Sequence, residues 1–85
     1  MDLGLEGRRA FVAGSSSGIG RAVAAGLLAE GAHVVINGRK PDKLERTRQE
    51  LEAAYGPRVH AVAADLSQGD AAAAAVREAV TRLGG

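Results

Sequence analysis

Ala13-Gly14-Ser15-Ser16-Ser17-Gly18-Ile19-Gly20 stands directly after the apolar run Ala10-Phe11-Val12, and its residue types suit the holding of an anion against backbone. Gly14 lets a chain leaving a strand turn tightly with positive φ, and Gly18 lets a phosphate come close without meeting a Cβ. Gly20 lets the following helix lie near the strand it has just left. A helix beginning near Gly18 presents unpaired N–H groups, that of Ile19 among them, and a partial positive charge. The hydroxyls of Ser15, Ser16 and Ser17 add donors around the same spot. The chemistry is that of a pyrophosphate cradle. Gly/Ser clusters also simply cap helices, so the reading rests on the strand–turn–helix context of the motif.

A second group of polar residues, Asn37-Gly38-Arg39-Lys40, follows the apolar run His33-Val34-Val35-Ile36. Dinucleotide folds that prefer NAD carry an acid near the end of the second strand, where it bonds the adenosine ribose hydroxyls. None is present here. A carboxylate would repel a 2′-phosphate; without it, Arg39 is able to pair with that phosphate and Lys40 adds a less directional charge. NADP(H) is therefore expected over NAD(H), with Asn37, Arg39 and Lys40 at the site. The bland alternative makes Arg39 and Lys40 exposed turn residues. Asp65-Leu66 follows a third apolar run, where Asp65 at the least helps to start a helix at Ser67. His33 and His60 have no acidic or cysteine partners at metal spacing and read as structural.

The elements that must position these groups alternate in kind. Strands are expected at about residues 9–13, 33–37 and 58–63, and helices at about 18–30, 41–55 and from Ser67 to Leu83. The β-branched run at 33–36 suits a parallel strand covered on both faces. Ile19, Val23 and Leu27 form a stripe for the buried side of the first helix, and Gly31 is a candidate C-cap. Pro41 is a favoured first helical residue; Leu44, Leu51 and Tyr55 supply the buried side of the second helix, and Gly56-Pro57 stops it. Its charges read as a solvated face with Asp42–Arg46 and Arg48–Glu52 pairs. Ser67-Gln68-Gly69-Asp70 reads as an acidic capping box ahead of the alanine-rich third helix. This β-α-β-α-β-α order predicts an α/β fold, a partial Rossmann-like doubly wound parallel sheet with strand order 3-2-1.

The spacing G-x-x-x-G-x-G, with Leu5-Glu6-Gly7-Arg8-Arg9 before the first strand and Leu28-Ala29-Glu30-Gly31-Ala32 after the first helix, resembles the short-chain dehydrogenase/reductase family of classical type. The resemblance covers essentially the whole chain, residues 1–85, as the N-terminal dinucleotide-binding portion of such an enzyme. It implies that the ribose-binding acid would fall at Gly38, and that Asp65 bonds the adenine amino group while the amide of Leu66 meets the ring. One departure is Ala13, where the family usually has Thr; that hydroxyl ties the turn to a later strand, so a looser turn is expected. The family's chemistry resides in Tyr-x-x-x-Lys, an upstream Ser, and Asn-Asn-Ala-Gly on a fourth strand. Here Tyr55 is followed four residues later by Val59, and Tyr55 reads as a packing residue.

No catalytic residue is therefore assigned, and no turnover is expected of the isolated chain. The resemblance implies the NADP-binding segment of an oxidoreductase moving hydride between NADP(H) and a carbonyl or alcohol, 3-oxoacyl-carrier-protein reductase among the possibilities, with its catalytic half absent. Two other readings stay open: a free-standing nucleotide-binding or regulatory module, and a fragment that associates with a full-length relative.

Composition narrows the field further. At 85 residues there is room for one small domain, and with aromatics at 2% the core is thin. A formal net charge of +1 gives no electrostatic case for nucleic acid or an anionic membrane. The lack of cysteine excludes disulfides and thiolate metal sites and fits a cytoplasmic protein. No apolar run approaches the roughly 20 residues of a membrane span. The expected partners are the dinucleotide and, through an exposed first-strand edge, a second copy of the chain.

Overall fold

The computed structural model describes residues 8–14 and 18–83. The serines at 15–17 lie outside the described residues, as do residues 1–7 and Gly84-Gly85. Six elements alternate along the chain: β1 (Arg9–Val12), α1 (Gly18–Ala29), β2 (His33–Gly38), α2 (Pro41–Tyr55), β3 (Val59–Ala63) and α3 (Gly69–Arg82).

The strands form one parallel sheet in the order β1-β2-β3. Ala10 lies opposite Val34, and Ile36 opposite Ala61. The α/β, Rossmann-like β-α-β-α-β-α sheet is as expected, but the expected strand order 3-2-1 is corrected. The order is sequential, every strand neighbouring the next in chain order. The physical reason is the shortness of the connections: a single helix between successive strands returns the chain to the adjacent position.

β2 is the centre of the molecule because its β-branched residues are used on both faces. Val34 and Ile36 join Val12, Val59, Ala24, Leu28, Leu44 and Leu51 in a core beneath α1 and α2. Val35 points the other way and meets Val62, Ala75 and Ala79 beneath α3. α2 begins at Pro41 and ends before Gly56, whose N–H donates to Glu52 O at 2.8 Å. Arg58 fastens the chain after that stop, donating from Nη1 to Ala32 O at 3.1 Å and from Nη2 to Tyr55 O at 3.0 Å. Tyr55 is half-buried against the first core.

Three local expectations are corrected. The buried stripe of α1 is Ala24 and Leu28, with Leu27 half-buried, whereas Ile19 is 85% and Val23 47% exposed. The helix is turned so that small Ala24 meets the sheet closely. The capping box at Ser67 does not form: α3 starts at Gly69, its N-cap is Gln68 without a side-chain bond, and the Ser67 hydroxyl is bonded to Asp65. Arg48 takes both Glu45 and Glu52 along α2, and among the described residues Asp42 and Arg46 form no ion pair. Arg21 reaches from α1 to Glu50 on α2 at 2.8 Å, an exposed pair that adds little stability.

Candidate functional site

The carboxyl ends of all three strands open into one groove of about 490 Å³. Ala13 and Gly14 come to it from β1, Asn37, Gly38 and Arg39 from β2, and Ala64, Asp65, Leu66 and Ser67 from β3. Parallel strands put all these turns at one end of the sheet, which is why groups so distant in sequence meet there.

Gly14 has φ +61° and Gly18 φ +65°, a left-handed backbone that costs a side-chain-bearing residue roughly 1–2 kcal/mol. Among the described residues, chain neighbours aside, a Cβ built on either would find no atom within 4 Å. The space over these two residues is thus open to a ligand, and Gly18 is the first residue of α1, where the helix's unpaired N–H groups lie. Ile19 and Gly20 follow in the first turn.

On the opposite wall, Asp65 Oδ1 accepts from Ser67 N at 3.0 Å and from Ser67 Oγ at 2.7 Å. These bonds, the hydroxyl first, hold the Asp65 carboxyl below the usual carboxylate range; the charge of Arg39 acts in the same direction and slight desolvation opposes it. Oδ2 takes no partner among the described residues. The loop-starting role of Asp65 therefore leaves one oxygen available. Arg39 is exposed at the rim. Lys40 does not line the groove; it is the extended residue before α2, and its carbonyl accepts from Leu44 N at 3.0 Å.

The groove therefore unites Gly14, Asn37, Arg39, Asp65 and Leu66 of the residues singled out from sequence. Sequence reasoning missed the depth at which Asn37 sits. It is 3% exposed, and Nδ2 donates to Val62 O at 3.0 Å and to Ala64 O at 3.3 Å.

The short chain dehydrogenase family model matches residues 8–85. The chain belongs to the short-chain dehydrogenase family. It is 49% identical over 84 residues to the uncharacterized oxidoreductase YvrD of Bacillus subtilis, covering 99% of this chain and 31% of that protein. The L-sorbose reductase of Gluconobacter frateurii, solved with NADPH and L-sorbose, superposes with a TM-score of 0.93 at 40% identity over 100% of this chain and 32% of that one. The 3-ketoacyl-(acyl-carrier-protein) reductase of Brucella melitensis, solved with NADH, gives a TM-score of 0.84 at 38% identity over 94% and 31%. This short-chain dehydrogenase chain thus spans about a third of the length of each of these three relatives.

A second cavity of about 440 Å³ lies beside the amino end of β3, away from the carboxyl ends of the strands, among Glu45, Arg48, Glu52, His60 and Arg82. Its arginines are already paired, Arg48 with Glu45 and Glu52, and Arg82 with Glu78 at 3.3 Å. His60 is pushed below its ordinary value, by burial first and then by the charges of Arg82, His33 and Arg48, with Glu52 opposing. The fold favours its neutral ring, so the unfolded chain takes up the proton more readily. His60 should accordingly contribute full stability above its ordinary value of about 6.5 and lose it as pH falls through its lower folded value. Thermal unfolding between pH 7.5 and pH 5 measures this, and His60→Gln should make the decline shallower. Among the described residues, no helix is long and apolar enough to cross a membrane.

Proposed function

We propose that the chain is the dinucleotide-binding segment of an oxidoreductase that uses NADP(H) in preference to NAD(H), and that residues 1–85 correspond to the N-terminal portion of such an enzyme. The observation that carries the reading is the groove itself: left-handed Gly14, with open space above it among the described residues, at the end of a sheet whose second strand leads to Gly38 and Arg39 rather than to an acid. The pyrophosphate would lie over Gly14 and Gly18 at the start of α1, where backbone N–H groups donate to it. Arg39 would pair with the 2′-phosphate, its planar fork matching two phosphate oxygens. Asp65 would accept from the adenine amino group through Oδ2, and the Leu66 amide would meet the ring. Ser15, Ser16 and Ser17 would supply further donors to the phosphates.

The chemistry that a dinucleotide held there would supply is hydride exchange with a carbonyl or alcohol. Support for that class comes from the relatives, one named as an L-sorbose reductase and another as a 3-ketoacyl-(acyl-carrier-protein) reductase. These relatives were solved with NADPH and with NADH respectively, so the preference for NADP(H) rests on Gly38 and Arg39 of this chain. No residue of the chain is assigned to the hydride-transfer chemistry.

Calorimetry with NADPH and NADH tests the preference. A charge-assisted hydrogen bond is worth about 1.5–3 kcal/mol, which makes an advantage for NADPH of about tenfold or more the expected result. Arg39→Ala should bring the two affinities together by weakening NADPH alone. Equal affinities in the parent chain, or a preference untouched by Arg39→Ala, would remove the assignment.

A further inference from the structure

Asn37 reads in sequence as a residue of the cofactor site, and its carboxamide spans all three strand ends. Nδ2 donates across β3 to the carbonyls of Val62 and Ala64, at 3.0 and 3.3 Å. Oδ1 accepts from the N–H of Gly14, in the turn after β1, at 3.4 Å. The Gly14 residue is exposed, and its N–H has no other acceptor among the described residues. A group that donates at one end and accepts at the other is what this junction requires. A carboxylate would set an oxygen against two carbonyls, and an apolar side chain would leave the Gly14 N–H with no acceptor among the described residues.

We propose that Asn37 is a positioning residue for the groove: it locks the Gly14 turn to the end of β3, so that the phosphate wall and the Asp65 wall are held at one fixed separation. It acts on the dinucleotide through Gly14 and Ala64, in place of the direct contact expected from sequence. The turn after β1 carries Ala13 rather than a hydroxyl-bearing residue, and Asn37 supplies an anchor to that turn from the neighbouring strand. The inference rests on the groove being a dinucleotide site, but its geometric half does not.

Amide hydrogen exchange followed by NMR on the full 85-residue chain, with NADPH titrations beside it, separates the two. Gly14 should be protected in the parent chain despite its exposure. Loss of one hydrogen bond of about 1 kcal/mol predicts exchange at Gly14 several-fold to tenfold faster in Asn37→Ala than in Leu51→Val, a core variant remote from the strand ends. NADPH affinity should fall in Asn37→Ala by a similar factor and hold in Leu51→Val. Should Asn37→Ala fail to fold, Asn37→Ser, which keeps a hydroxyl donor, and the parent chain's own Gly14 amide decide the matter. A Gly14 amide that exchanges at the unprotected rate in the parent overturns the proposal. So does an Asn37→Ala chain that binds NADPH as the parent does. If Gly14 responds as expected while the parent binds no NADPH, the dinucleotide reading falls and the clamp stands.

Discussion

Gly18→Val should abolish NADPH binding while leaving the chain folded. Two effects act together. Gly18 has φ +65°, and a β-branched residue placed there is strained by its own backbone, at a cost to the fold on the order of 1–2 kcal/mol or somewhat more. The new side chain's Cβ would find no atom of the described residues within 4 Å, chain neighbours aside. It stands instead in the space that the phosphates need at the start of α1. The melting temperature should fall by several degrees, and affinity for NADPH should fall at least about a hundredfold, the equivalent of losing more than one charge-assisted bond. Gly26→Ala is the matched control. Gly26 lies inside α1, also with nothing within 4 Å of an added Cβ, and has ordinary helical φ. Alanine there should stabilise by about 0.5–1 kcal/mol and leave binding unchanged. Calorimetry and circular dichroism on the variants give both quantities, and a Gly18→Val chain that binds NADPH as tightly as the parent would show that the turn holds no phosphate.

Expressed alone, the 85-residue chain should self-associate through the β1 side of the sheet. Among the described residues β1 pairs with β2 only, and the bond from His33 N to Arg8 O sets a ladder in which Phe11 turns its backbone outward. Such an edge is a template for another chain. Exposed apolar side chains elsewhere strengthen the case: Ile19 and Val23 on α1, and Val76 and Val80 at 54% and 49% exposure on α3. Sedimentation and light scattering should reveal association that grows with concentration. The double variant Val76→Lys, Val80→Glu should suppress it, because charges replace apolar surface without entering the core. A concentration-independent monomer with strongly protected Phe11 amide would instead mean that the edge is satisfied within one molecule.

The positions of the elements were legible because their signals are local. The β-branched run of β2, Pro41 at the first helical position and Gly56-Pro57 after α2 each act through their own backbone preferences, and the boundaries of α2 follow from them directly. The gathering of Gly14, Arg39 and Asp65 at one end of the sheet was legible for a different reason: parallel strands joined by helices leave no other arrangement of their carboxyl ends. The buried face of α1 was not. Stripes through Ile19, Val23, Leu27 and through Ala24, Leu28 are offset by one residue, about 100° around the helix, and larger apolar side chains favoured the first. Close packing on the sheet favours the small residue, a preference set by the partner surface. The order of winding was misjudged because the reversal of a doubly wound sheet needs a strand beyond β1, whereas each connection here carries the chain one place in the same direction. The bonds that Asn37 makes across the strand ends were not legible either, since the groups it joins lie 23 to 27 residues away along the chain.

The two faces of the sheet are covered by unequal means. α1 and α2 bury Leu28, Leu44 and Leu51, whereas α3 is seated through Ala75 and Ala79. At about 0.8 kcal/mol for each buried methylene, the alanine-seated helix has the shallower hold. It is therefore the part of the molecule expected to lift first, before the rest unfolds. Asp65 and Leu66 form the lead-in to that helix, so the adenine side of the groove is mounted on the hinge of the loosest cover. A ligand that grips this side binds only the seated arrangement, and by mass action it must slow the lifting of α3. Occupancy of the groove would then be legible from the far face of the sheet, in the exchange of α3 amides that no ligand touches.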